Sequence, residues 1–197
     1  MKKAFCVTLT VILLFSLAAC GGGDAANTSG AEDYYEQAMS AAKSGKDAEA
    51  FEAFGKAIEL DPEYADAYYW RGMLYSDLEE YGKAIEDLIK AAELSPNDPF
   101  SHHKLGEAYY YYGEYELAIE SFGKSIRLEP ENDYGYYCRA SAYFDIDRYE
   151  EALADLDKAI EIDEDCSDYY FARAQIHEAL GEDDLADIDY AMARVLE

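Results

Sequence analysis

Residues 65–98 read ADAYYWRGMLYSDLEEYGKAIEDLIKAAELSPND, and the pattern of this stretch recurs four more times along the chain. The other windows begin at residues 31, 99, 133 and 167. When each window is numbered from 1, position 8 is always a small residue and position 20 is always alanine. Five windows in one register predict five copies of a single structural unit.

Each window is typical of two helices joined by a turn. Positions 4, 8 and 11 share one face of the first helix, and positions 20, 24 and 27 share one face of the second. In residues 65–98, Tyr68 and Leu88 fill space between the helices, while Gly72 and Ala84 let the backbones approach. Glycine at position 15 and proline at position 32, each in three windows, mark the turns.

One such helix pair cannot bury its apolar face alone, but stacked pairs can. We therefore predict an all-α fold, an α-solenoid of five stacked helix–turn–helix repeats. The predicted repeats are 31–64, 65–98, 99–132, 133–166 and 167–197.

The unit resembles the tetratricopeptide repeat (TPR), a helix–turn–helix motif of the same length. In that family, positions 2, 5, 9 and 12 of the first helix line a concave groove that binds a partner segment. Carried over to this chain, the predicted groove residues are Tyr69, Met73, Phe100, His103, Glu107, Tyr110, Tyr134, Tyr137, Phe144 and Phe171. Family members that clamp a C-terminal carboxylate use Lys, Arg and Asn here, and this chain has Tyr35, Met39 and Tyr69 instead.

The resemblance therefore implies an aromatic, acidic groove for a neutral or basic protein or peptide. Aromatic and methionine side chains provide contact area for such a segment. The alternative is that many of these rings are ordinary core packing.

Arginine at position 7 and aspartate at position 23 occur together in repeats two, four and five. These residues are Arg71, Asp87, Arg139, Asp155, Arg173 and Asp189. Charged groups in a packed interface need partners, so we predict three ion pairs that tie the two helices of a repeat together. The alternative is that the arginines bind an anionic ligand.

The first 20 residues predict export. Lys2 and Lys3 precede an apolar run over residues 4–17, a pattern typical of a signal peptide. Residues 17–20, Leu-Ala-Ala-Cys, resemble the bacterial lipobox, which implies a lipoprotein signal peptide over residues 1–19 and lipidation of Cys20. Residues 20–30 are predicted to be a flexible tether. The protein would then sit in the cell envelope, lipid-anchored on the extracytoplasmic side of a bacterial membrane; the alternative is an uncleaved signal anchor.

Composition and motifs argue against several functions. A formal net charge of −27 argues against nucleic acid, whose phosphates require basic surface. We find no phosphate-binding loop, no catalytic motif and no ligand spacing for a metal, so we expect no enzyme activity, no cofactor and no metal site. His102 and His177 fall at core positions. Cys138 and Cys166 are left either as free thiols or as a disulfide.

These features predict a membrane-anchored, non-catalytic interaction scaffold or assembly factor. A glycan-binding surface lipoprotein and a fixed subunit of an envelope complex are the alternatives. Position 21 is apolar in four repeats but is Asp187 in the fifth. Position 28 is also apolar in four repeats and is Arg194 in the fifth. Charges at these places predict that the solenoid ends here as a monomeric array.

Overall fold

The computed structural model describes residues 24–196, which form ten α-helices and no strands. The helices are α1 (Asp24–Lys43), α2 (Asp47–Leu60), α3 (Ala65–Asp77), α4 (Tyr81–Leu94), α5 (Pro99–Tyr112), α6 (Tyr115–Leu128), α7 (Asp133–Phe144), α8 (Tyr149–Ile162), α9 (Ser167–Leu180) and α10 (Asp183–Leu196). Consecutive helices pack in pairs, and the second helix of each pair packs on the first helix of the next. The predicted all-α solenoid is confirmed.

The first helix begins earlier than the repeat pattern indicates. It starts at Asp24, so residues 24–30, which we expected within a flexible tether, have helical backbone. Cys20 and the rest of the predicted export segment lie outside the described residues. Among the helices that the structure describes, none is long and apolar enough to cross a membrane.

The core follows the small and large positions of the repeat. All five position-20 alanines are at most 2% exposed, and Phe54, Leu88, Phe122 and Leu156 at position 24 are at most 1% exposed. The backbones are close at position 8, where a Cβ on Gly106 would lie 2.7 Å from the Phe122 ring. Glycine at residue 106 therefore lets the Phe122 ring approach the backbone of the facing helix.

The turn within each repeat uses one backbone conformation throughout the array. Position 15 has positive φ in Gly45 (69°), Gly113 (88°) and Gly181 (75°). Glu79 and Asp147 occupy the same position with φ of 59°, although neither is glycine. The repeat geometry thus imposes the left-handed conformation even where the residue does not favour it.

Candidate functional site: an aromatic groove on the first helices

A series of aromatic rings runs across the first helices of repeats three to five. The His103 ring on α5 lies 5.4 Å from that of Tyr134 on α7. Tyr134 stacks on Tyr137 at 6.0 Å, and Tyr137 contacts Tyr169 on α9 at 5.4 Å. These helices therefore share one connected aromatic surface, in which the Tyr134 ring is exposed, the Tyr137 ring is half-buried, and the His103 and Tyr169 rings are buried beneath.

Two small cavities open on this surface. One, of about 240 Å³, lies between α5 and α7 and is lined by Glu107, Tyr111 and Cys138 among others. The second, of about 230 Å³, lies between α7 and α9 and includes Phe144. Both are lined by Tyr110 and Tyr137. Their volumes are below those typical of small-molecule sites and suit single side chains of a bound segment.

A third depression of about 460 Å³ lies between repeats two and three. Tyr69 and Phe100 provide its aromatic wall, and Asp66 and Asp98 its acidic groups. The acidic, aromatic character expected of the groove is thus present at this junction also.

The predicted groove residues differ in how much they offer to a partner. Phe100, Tyr134 and Phe171 are exposed by 59%, 48% and 50%. The half-buried members are Tyr69, Met73, Glu107, Tyr110, Tyr137 and Phe144. His103 is only 8% exposed, and its ring packs against Phe122 and Tyr134. His103 thus belongs to the wall beneath the groove, which corrects its expected position on the contact surface.

Polar contacts beside Tyr134 determine the charge of the α5–α7 cavity. Glu107 accepts a hydrogen bond from Lys104 Nζ at 2.7 Å and lies 3.3 Å from His103 Nε2. Burial raises the pKa of Glu107, but these two hydrogen bonds outweigh it and hold the pKa below its ordinary value. Burial raises the pKa of the Cys138 thiol to about 12, although a hydrogen bond with Tyr134 acts to lower this pKa. The cavity therefore contains a carboxylate and a neutral thiol at neutral pH.

His103, Glu107 and Cys138 bring their ligand atoms within 4.8 Å of one another. This set is of the kind that a borderline metal ion accepts. Glu107 is already held by Lys104 and His103, and the thiol is protonated and paired with Tyr134. An ion would have to displace these contacts, and we therefore assign the three residues to the groove wall.

Sequence reasoning missed Tyr111, which is 65% exposed and lines the α5–α7 cavity. Its ring stacks on Tyr81 of the preceding repeat at 5.6 Å. Tyr111 is one of four consecutive tyrosines, and it falls outside the family's groove positions. The run of tyrosines was the available signal, since four in a row must place a ring on every face of the helix.

The arginines at position 7 lie behind the groove, between the two helices of each repeat. Arg71, Arg139 and Arg173 each donate from Nε and Nη2 to the two carboxylate oxygens of the position-23 aspartate, all at 2.7 Å. The aspartates Asp87, Asp155 and Asp189 are 4–7% exposed. Hydrogen bonding to Asp87 raises the pKa of Arg71 above its ordinary value. These guanidinium groups are occupied by bidentate partners, which is the arrangement of a structural pair.

The remaining histidines and cysteines have defined surroundings. His102 is buried, with Nε2 3.0 Å from the carbonyl oxygen of Pro96. His177 Nδ1 lies 2.7 Å from Glu182. Cys138 and Cys166 are both free thiols.

Comparison with solved structures shows the same fold. A crystal structure of MamA protein superposes with a TM-score of 0.82 at 23% identity, covering 85% of this chain and 91% of that one. MamA from Desulfovibrio magneticus RS-1 gives a TM-score of 0.80 at 18% identity, with 84% and 94% covered. YrrB, described as a TPR protein with an unusual peptide-binding site, gives 0.77 at 20% identity, with 85% and 86% covered.

Sequence comparison identifies the repeats. No curated protein matches the chain in sequence. A family model described as TPR repeat matches residues 42–78, 106–147 and 140–181, and one described as tetratricopeptide repeat matches residues 65–98. These matches cover more than half of the chain, which therefore belongs to the tetratricopeptide repeat family.

Proposed function

We propose that this protein is an exported, lipid-anchored scaffold that binds a neutral or basic protein segment in the groove of its first helices. The aromatic surface on α5, α7 and α9 is the observation that supports this most directly. It presents the exposed Tyr134 ring and the half-buried Tyr137 ring beside two cavities of side-chain size, one of which is lined by the charged Glu107. YrrB, which has a similar fold, is described as peptide-binding.

Exposed rings on a rigid helical face suit a peptide because ordering them on binding costs little entropy. Tyr134 and Phe171 project from adjacent repeats. The Tyr134 ring packs on that of Tyr137, and the Phe171 ring packs on that of Tyr190. These supports hold the rings in place before a partner arrives. Acidic groups such as Asp168 next to Phe171 favour basic residues in the bound segment.

The test is a fluorescence-polarisation screen of the detergent-solubilised full chain against arrayed peptides of basic, neutral and acidic charge, run beside a glycan array. We expect micromolar binders among the basic and neutral peptides. Tyr134→Ala and Phe171→Ala should each weaken binding by about 1–2 kcal/mol with helicity unchanged, as truncated aromatic anchors do. Tyr112→Ala, which removes a ring 58% exposed outside the groove, is the matched control. Glycan binding without peptide binding would reject the proposal.

The lipid anchor is the second part of the proposal, and it depends on the Leu-Ala-Ala-Cys motif at residues 17–20. Replacement of Cys20 with Ser should abolish incorporation of a labelled fatty acid and leave a soluble or uncleaved species. Equal labelling of the wild type and the variant would exclude this anchor.

A further inference from the structure

The second helix of each repeat carries a charged outer face in the first four repeats. Its lysine at position 26 is always ion-paired with a glutamate one turn away. The pairs are Lys56–Glu52, Lys90–Glu93, Lys124–Glu120 and Lys158–Glu161, with the nitrogen and oxygen 2.6–3.6 Å apart. The outer face is therefore solvated along the array up to α8.

The last helix replaces this charged row with apolar residues. At the four outer positions, 19, 22, 26 and 29, α10 carries Leu185, Ile188, Met192 and Val195. They are exposed by 46%, 64%, 40% and 77%. We call these four residues the α10 seam. An exposed apolar row replaces the charged one only in this repeat, and such a patch marks an interaction surface.

The α10 seam is not a leftover stacking surface for a sixth repeat. The inner face of α10, with Ala186, Asp189 and Ala193, is buried against the rest of its own repeat. The face toward the open end of the solenoid carries Asp187 and Arg194, both exposed. The seam lies on a different side of the helix from these charges, so it needs a partner other than another stacked repeat.

The spacing of the seam specifies the shape of that partner. Its residues are separated by three, four and three positions, the spacing of the two core positions of a coiled-coil heptad. The row is about 15 Å long at 1.5 Å per residue. A narrow seam of this kind accommodates one helix.

We propose that the α10 seam pairs antiparallel with the α10 seam of a second copy, which makes the protein a two-fold homodimer. The seam is self-complementary about residue 190, so that Leu185 lies opposite the second copy's Val195, and Ile188 opposite its Met192. Antiparallel pairing also keeps the acidic first turn of each helix, with Asp183 and Asp184, at the opposite end of the pair from the acidic first turn of the other. Parallel pairing would bring the two acidic turns together.

This pairing replaces the expected monomeric array with a two-fold dimer. Charges at Asp187 and Arg194 prevent growth by stacking, whereas the seam closes a pair and leaves no further surface for growth. The contact is small, three helical turns on each copy, so the dimer is weak. Both copies are strongly acidic, and added salt should strengthen association by screening their repulsion.

The first experiment locates the contact by cysteine cross-linking of the full chain in detergent. Ile188→Cys with Met192→Cys should give a covalent dimer under mild oxidation, because antiparallel pairing brings these positions together. Ala154→Cys with Lys158→Cys, at the equivalent positions of the fourth repeat, is the matched control and should remain monomeric. Ile188→Cys alone should cross-link efficiently only in a parallel pair. Efficient cross-linking of this single variant would therefore overturn the proposed arrangement.

The second experiment is sedimentation equilibrium in density-matched detergent at low and high salt. We expect a wild-type dimer that strengthens with salt. Ile188→Glu with Met192→Lys introduces the ion pair found in repeats one and three and should abolish the dimer with no loss of helicity. A monomer under all conditions would overturn the proposal. The proposal would also be overturned if the seam bound a lysine-flanked amphipathic peptide instead of a second copy, with an affinity that falls as salt rises.

Discussion

Arg173 in the fifth repeat donates a hydrogen bond from Nη1 to Asp157 in the fourth, with the two atoms 2.5 Å apart. The same guanidinium binds Asp189 of its own repeat, so one side chain joins three helices. Asp157 occupies position 25, where repeat three has Gly123. A Cβ on Gly123 would lie 3.4 Å from Nη1 of Arg139. In Arg173, the equivalent Nη1 atom is the one that binds Asp157.

Gly123→Asp should therefore reproduce the cross-repeat bond at the junction of repeats three and four. We expect the free energy of unfolding to rise by about 1 kcal/mol, partly from the new hydrogen bond and partly from removing a helical glycine. Urea unfolding followed by circular dichroism measures it. Gly55→Asp, where nothing lies within 4 Å of the new Cβ, is the control for the glycine effect. Equal gains at the two sites would show that Arg139 does not capture the carboxylate.

The pairs within repeats should be costly to break. Asp155→Ala leaves the half-buried Arg139 guanidinium without its bidentate partner. We expect a loss of about 2–4 kcal/mol in the free energy of unfolding, because a charge confined in a packed interface is left unpaired. Glu120→Ala breaks an exposed pair with Lys124 and should change stability by no more than about 0.5 kcal/mol. Similar small losses for both variants would mean that water replaces Asp155 easily.

The left-handed turn provides a stabilising substitution. Glu79 adopts φ of 59°, which is unfavourable for a residue with a Cβ. Glu79→Gly should raise the free energy of unfolding by about 1 kcal/mol. Thermal unfolding measures the change, with Glu80→Gly as the neighbouring control, since Glu80 has φ of −84°. A destabilised Glu79→Gly variant would mean that the glutamate side chain stabilises the turn by more than the strain costs.

Cys138 should resist alkylation in the folded protein. Its pKa of about 12 leaves on the order of one molecule in ten thousand with a thiolate at about pH 8, and the thiolate is the reactive species. Iodoacetamide labelling followed by peptide mass spectrometry should show slow reaction at Cys138 in buffer and fast reaction in urea. Fast labelling in both conditions would indicate that the groove wall around Tyr134 opens readily.

The fold could be predicted from the sequence because the residue types that helix packing requires recur at the same positions in all five repeats. Alanine at position 20 lets the two helices of one repeat approach closely, so Ala50 and Ala186 mark the same contact in the first and fifth repeats. The residue type of Glu79 does not indicate the strained turn, because glutamate is not typical of positive φ. Glycine at the same position in three other repeats does indicate it.

The candidate site was less predictable. Position in the register indicates which helix face a ring occupies, but not whether a neighbour covers it. His103 is buried because the Phe122 and Tyr134 rings lie against it, and Tyr111 is exposed outside the usual groove positions. The burial of His103 thus depends on Phe122 in its own repeat and on Tyr134 in the next, and the residues at these positions vary between repeats.

The two kinds of junction in this array permit different evolutionary histories. A tandem duplication of residues 65–98 would set Ala92 of one unit against Ala67 of the next, and both are small residues already buried between helices. The chain could lengthen or shorten by one unit there without any new contact type. A unit added after α10 would have to cover the exposed charges of Asp187 and Arg194. Duplication or loss of one unit should therefore be tolerated more readily between repeats of this array than after α10.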